Sequence, residues 1–185
     1  RRLIYKKASW IIQKLKLVEK IPQGDIRTGS RILYLGKRFY VSVNEDTGVK
    51  SAVVLFSYSK FTVKLNPAVP DKGKALNRAF EKFTRSKADE KITPRIQYWS
   101  NITGLKPTKL RFRKLSKRWG SCTKDNEVII NYDAVKLPFT LIDYVIVHEL
   151  SHIKYKDHSK AFWNTVGKYI PDYKELDDKM VGMKL

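Results

Sequence analysis

Apolar side chains return every three or four positions between Asp71 and about Ser100, at Leu76, Ala79, Phe80, Phe83, Ile92, Ile96 and Trp99, which predicts a long helix with one face on a core. Pro94 falls inside it, lacks a backbone N–H and is expected to break the rod. Upstream the pattern changes. The runs "RILYLGKRFYVSV" (31–43) and "SAVVLFSYSKFTVKL" (51–65) are β-branched and aromatic, punctuated by Gly36 and by "NEDTG" at 44–48, and predict strands joined by tight turns. "YKKASWIIQKLKLVEK" (5–20) has the spacing of a basic amphipathic helix, and "NPAVP" (66–70) reads as a linker. The chain therefore divides into an N-terminal helix and β-rich region, 1–66, and a second domain, 67–185.

In that second domain "TKLRFRKLSKRWGSC" after Pro107 predicts a strand followed by a turn at Gly120, and a further strand runs from Glu127 to Tyr132. "LPFTLIDYVIVHELSHIKYK" predicts a buried helix with Leu141, Ile142, Val145, Ile146 and Ile153 on a broad apolar face. Pro138 and the pair Thr140 and Asp143, a capping-box-like spacing, mark its start. A last helix begins near Ser159, carries Phe162, Trp163 and Val166, and is ended by "IPDY" (170–173). The alternation of helices and strands over 185 residues makes this an α+β protein large enough to bury a core.

All three histidines of the chain, His148, His152 and His158, fall on or just after the buried helix. His148 and His152 are four apart, so both imidazoles lie on one face and reach one ion. Glu149 is rotated by about 100° from His148, out of the ligand set but close enough to deprotonate a water on the metal. An open zinc site needs a third protein ligand, and His158 lies where the helix has had room to end and the chain to turn back. One Zn2+ per chain is expected. Cys122 reads as a small buried hydrophobe outside the site, and Trp119 as structural. A single cysteine makes no internal disulfide, no secretory leader is visible and no apolar run approaches the roughly 20 residues of a membrane span, which predicts a cytoplasmic chain.

Charge changes the picture once. Lys and Arg number 38 against 18 Asp and Glu, a net +20, and a field of that size favours DNA or another polyanion as a partner. No acidic residue stands between Lys106 and Lys124, so Arg111, Arg113, Lys114 and Arg118 are candidate substrate or phosphate contacts.

"RWGSC" (118–122), "IDYVIVHELSH" (142–152), "HSKAFW" (158–163) and "PDY" (171–173) together resemble the YgjP-like metallopeptidases, relatives of the SprT and WLM groups of minimal zincins. The resemblance runs over 107–175, and "LYLGKRFYVSV" is similar as well. It implies a compact zincin-like catalytic domain with a long helix behind a twisted sheet, His148, His152 and His158 as ligands and Glu149 as catalytic base. The His148–His158 spacing also matches metzincins, which place glycine where Tyr155 stands here, and a gluzincin-type third ligand would be Glu175. The reaction expected is hydrolysis of a polypeptide substrate, whose backbone would add along a sheet edge such as 127–132. One alternative is a metal-dependent nucleotide (UTP) pyrophosphatase with phosphates held by the cluster from Arg111 to Arg118. The other is a basic nucleic-acid-binding domain with structural zinc, which three ligands and a glutamate disfavour.

Overall fold

The structure, a computed structural model, describes residues 26–183. The amphipathic helix expected over 5–20 lies outside them. Strands β1 (Arg31–Tyr34), β2 (Lys37–Glu45), β3 (Ala52–Ser57) and β4 (Lys60–Leu65) come first, then helix α1 (Lys72–Thr103). Strands β5 (Lys109–Arg113), β6 (Gly120–Cys122) and β7 (Glu127–Asn131) lead through a 3-10 turn (Tyr132–Lys136) into helices α2 (Phe139–Lys154), α3 (Lys160–Tyr169) and α4 (Tyr173–Gly182). The chain is α+β, with four helices and two small sheets among the described residues.

The first sheet has the order β1-β2-β4-β3, with β2 and β4 parallel and the outer pairs antiparallel. Alternation along its strands turns Val41, Phe61 and Val63 inward, all fully buried. Their layer is aromatic: the Phe61 ring lies 4.8 Å from Phe56 and 5.5 Å and 5.4 Å from Phe80 and Phe83 of α1. α1 starts at Asp71, whose Oδ1 accepts from the Lys74 N–H at 2.8 Å, and ends at Gly104 in the left-handed conformation, φ +71°. Pro94 does not break it. The lost backbone bond and ring clash cost about 3 kcal/mol, but Ile92 and Ile96 on either side are buried and each contributes about 1.5–3 kcal/mol. Pro94 itself stands on the exposed side.

Three local expectations are corrected. Gly120 is in strand β6 and not in a turn; the turn comes later, where Asn126 takes φ +62°. The second sheet has the order β5-β7-β6, so strand 127–131 is central and offers no edge, and β6 is the edge strand beside α2. Asp143 forms no capping box: it is ion-paired with Arg95 of α1, and α2 starts at Pro138 without a side-chain cap. Chain folding also continues past "IPDY", where α4 buries Leu176 and Met180.

Both sheets and the four helices share one buried cluster. The β1–β2 hairpin tip fastens the first sheet to the 3-10 turn that leads into α2: Leu35 N–H donates to the Val135 carbonyl and Gly36 N–H to that of Lys136, both at 2.9 Å. Gly36 has φ +79°, and a Cβ there would sit 2.8 Å from Pro138 Cβ. Gly36→Ala therefore combines left-handed strain with overpacking, and a loss of about 2 kcal/mol or more is expected in urea unfolding, with an unchanged denaturant slope.

Candidate metal centre

α2 is buried nearly all round, through Leu141, Ile142, Val145, Ile146, Val147 and Leu150, and this fixes the direction of its few polar side chains. His148 and His152 emerge one turn apart with ring centroids separated by 5.0 Å. The helix ends at Tyr155, and the loop to α3 brings His158 back, its Nε2 lying 3.1 Å from His148 Nε2. One ligand atom from each histidine lies within 4.8 Å of the others, the sole such group of three His, Cys, Asp or Glu among the described residues. Glu175 and Cys122 are not in it.

The donors fit zinc. Four ligands about 2.0–2.1 Å from a tetrahedral zinc are about 3.3 Å apart, close to the His148–His158 separation. An all-imidazole set also suits a borderline-soft divalent ion. Burial, and then the neighbouring His152 and His158, push the His148 pKa down to about 3, so its lone pair is free at neutral pH. Burial lowers that of His152 too. His152 Nδ1–H donates to the Tyr155 carbonyl at 2.9 Å, which fixes the tautomer and leaves Nε2 for a metal.

Tyr155 also explains the missing metzincin glycine. Its φ of −125° and ψ of 110° are extended backbone open to any residue, so the chain leaves α2 without a left-handed position.

The floor under the three imidazoles is Phe162, fully buried, with ring centroids 4.5 Å from His152, 4.7 Å from His158 and 5.0 Å from His148. Trp163 packs on His158 at 5.5 Å and is stacked in turn by Tyr173 at 5.3 Å. Periodicity alone assigns Phe162 and Trp163 only to a helix; their close spacing to His158 is the signal that they line the site.

Glu149 is 7% exposed and lies against β6, where a Cβ on Gly120 would come within 2.6–2.8 Å of its Cγ, Oε1 and Cδ. Only a glycine leaves room for this carboxyl group. Burial raises its pKa to about 8, against the opposing charge of Arg118. The structure thus brings Arg118 near the site and places the other three cations elsewhere. Arg111 is ion-paired with Glu127, and Arg113 and Lys114 are exposed at the end of β5, with β7 between that strand and β6. Two further polar residues brace the rim. Buried Asn131 donates to the carbonyls of Leu115 and Arg118 at 2.8 and 3.2 Å, and Lys156 Nζ to Thr123 O and Asn126 Oδ1 at 2.8 and 2.7 Å.

The chain matches the family described as YgjP-like, metallopeptidase domain, over residues 1–181. No curated protein matches it. Among solved structures it is similar to the metallopeptidase zymogen abylysin of Pyrococcus abyssi, with 25% identity, 48% of this chain and 90% of that one covered, and a TM-score of 0.44.

Protonation of Glu149 has a measurable consequence in the metal-free protein. The folded carboxyl keeps its proton up to about pH 8 and the unfolded one releases it near 4.5, so its contribution is present at low pH and is lost as pH rises between these values. Glu149→Gln removes this loss. In chelator-treated protein its stability advantage over wild type should widen by about 3 kcal/mol from pH 5 to pH 8, read by urea unfolding at each pH. A constant difference would mean that Glu149 is ionised throughout.

Proposed function

This chain belongs to the YgjP-like metallopeptidase domain family, and we propose that it is a zinc peptidase in which His148, His152 and His158 hold one ion and Glu149 is the general base. The observation that carries the reading is the convergence of three imidazoles, two of their nitrogens 3.1 Å apart, beside a buried carboxyl group on the same helix. Zinc bound there supplies a Lewis acid for the scissile carbonyl and brings the pKa of water toward neutrality.

The protein's own groups do the rest. Glu149 accepts the proton of the attacking water and passes it to the leaving amine. Tyr155 holds His152 in the ligating tautomer, and Phe162 keeps water from the rear of the site. An extended polypeptide adds to the outer edge of β6, beside Gly120 and Glu149, since β7 has both edges occupied. We take residues 67–185 as the catalytic unit and 1–66 as the region that braces it through the hairpin tip at Leu35 and Gly36. No helix among the described residues is long and apolar enough to cross a membrane; with the lone thiol of Cys122, we assign the reaction to the cytoplasm.

The nucleotide reading is weakened by the same map of charges. Phosphates at the metal would need the cluster from Arg111 to Arg118, yet Arg111 is already paired with Glu127 and only Arg118 acts on the site. A purely structural ion is disfavoured by a three-residue donor group with a general base beside it.

Zinc-loaded protein assayed on an unfolded polypeptide and, in parallel, on UTP separates these readings. Glu149→Gln should keep zinc and the melting temperature but lose roughly 10²–10⁴-fold in peptide turnover. His148→Ala should lose the metal itself, measured by elemental analysis. Full zinc in His148→Ala would remove that ligand, and normal turnover in Glu149→Gln would remove the base.

A further inference from the structure

The outward face of the first sheet is unlike the surface of an ordinary brace. The alternation that buries Val41, Phe61 and Val63 sends Arg38, Tyr40, Ser42 and Asn44 of β2, Lys60, Thr62 and Lys64 of β4, and Val53 and Leu55 of β3 to the other side. Register makes a row of part of this set: Arg31 is opposite Tyr40, Tyr40 opposite Lys60, and Lys60 opposite Ser57. With strands about 4.8 Å apart, the row alternates cation, aromatic ring and cation over about 10 Å. Just beyond it, in the β3–β4 turn, Tyr58 is fully exposed and takes φ +56°, a conformation that bulky residues rarely adopt.

No outward position of these four strands carries a carboxylate. Their one acidic residue, Glu45, falls on the inward register opposite Leu65 and is ion-paired with Lys72 at 3.2 Å. Lys64 is partly neutralised by Asp46 at 2.9 Å, which leaves the positive field of the row to Arg31 and Lys60.

We propose that this face binds single-stranded nucleic acid, with Arg31 and Lys60 on phosphates and Tyr40 and Tyr58 stacking on bases. Cations flanking exposed rings on a sheet match both parts of a single strand, its charged backbone and its open base faces. A duplex offers only the first part, since its bases already stack on each other. An anionic membrane likewise has no planar groups for the two rings. The chain's net charge of +20 supplies long-range attraction of the same sign. This site is separate from the metal centre and does not depend on the reaction catalysed there.

The test is fluorescence anisotropy of the zinc-loaded protein with labelled oligothymidine and oligouridine, at about 50 and 200 mM salt. Tyr40→Ala should weaken binding about 10-fold or more while Tyr40→Phe, which keeps the ring, binds as wild type. Arg31→Gln with Lys60→Gln should flatten the plot of log affinity against log salt by about 0.7 per cation removed. Arg113→Gln with Lys114→Gln, the same loss of charge away from the sheet, should leave the affinity within about two-fold. These positions are exposed, and unchanged zinc content and melting temperature would show the variants folded. The proposal is overturned if no oligonucleotide binds at the lower salt, or if the Arg113 and Lys114 changes cost as much as the sheet pair. Equal affinity for a duplex, or binding by Tyr40→Ala as tight as wild type, would overturn it as well, as would anionic vesicles removing the bound oligonucleotide by competition for the same residues.

Discussion

Placing ionisable groups on a helix that is buried nearly all round is the constraint on which the rest of the structure depends. α2 has apolar residues on most of its circumference, yet at its C-terminal half it carries His148, Glu149 and His152. Desolvation disfavours charge on each of them, so His148 is held neutral far below its ordinary pKa and Glu149 holds its proton up to about 8. The two shifts run in opposite directions in pKa and have one result: without a metal, His148 and Glu149 are both uncharged at neutral pH. A divalent cation held there would reverse that balance, because it can compensate several lone pairs at once.

Close approaches then fix where that helix lies. At Gly36 the hairpin of the first sheet meets Pro138 at the start of α2, and at Gly120 the edge strand meets Glu149 near its other end. Neither contact leaves room for a methyl group: Gly36 lies against the backbone and ring of Pro138, and Gly120 against the side chain of Glu149. Arg95 and Asp143 add a charged tie from α1, and Lys156 ties the far end of the helix to the β6–β7 turn. The β-rich segment therefore helps to set Glu149 and the histidines of α2 in register.

The parts of this arrangement legible in the sequence are those governed by local periodicity. The four-residue spacing of His148 and His152, the alternation of "KRFYVSV" and the start of α1 at Asp71 each follow from neighbours along the chain. What was not legible depends on partners distant in sequence. Asp143 looked like part of a cap because Arg95, 48 residues away, cannot be seen from its own surroundings. Strand 127–131 looked like an edge because pairing order is a tertiary property, and β5 and β6 close on it from both sides. Pro94 looked like a break because propensity was weighed without the burial of Ile92 and Ile96. Gly120 suggests a turn from its neighbours alone, whereas the position is set by the Glu149 carboxyl group that lies against it.

Charge was the least interpretable feature in the sequence, because a sum has no location. The basic run from Lys106 to Lys124 drew attention as a continuous string, yet in three dimensions its members separate: Arg111 is neutralised by Glu127, Arg113 and Lys114 lie at the end of β5, and Arg118 alone acts on Glu149. Arg31 and Lys60, 29 positions apart in the sequence, stand on either side of Tyr40 because strand register puts them there. Burial raises the Glu149 pKa, and Arg118 is the one cation of the basic run whose charge opposes the rise. Val41, Phe61 and Val63 form a fully buried layer behind the outward side of the first sheet, so the cations gathered there by register face solvent and not the core.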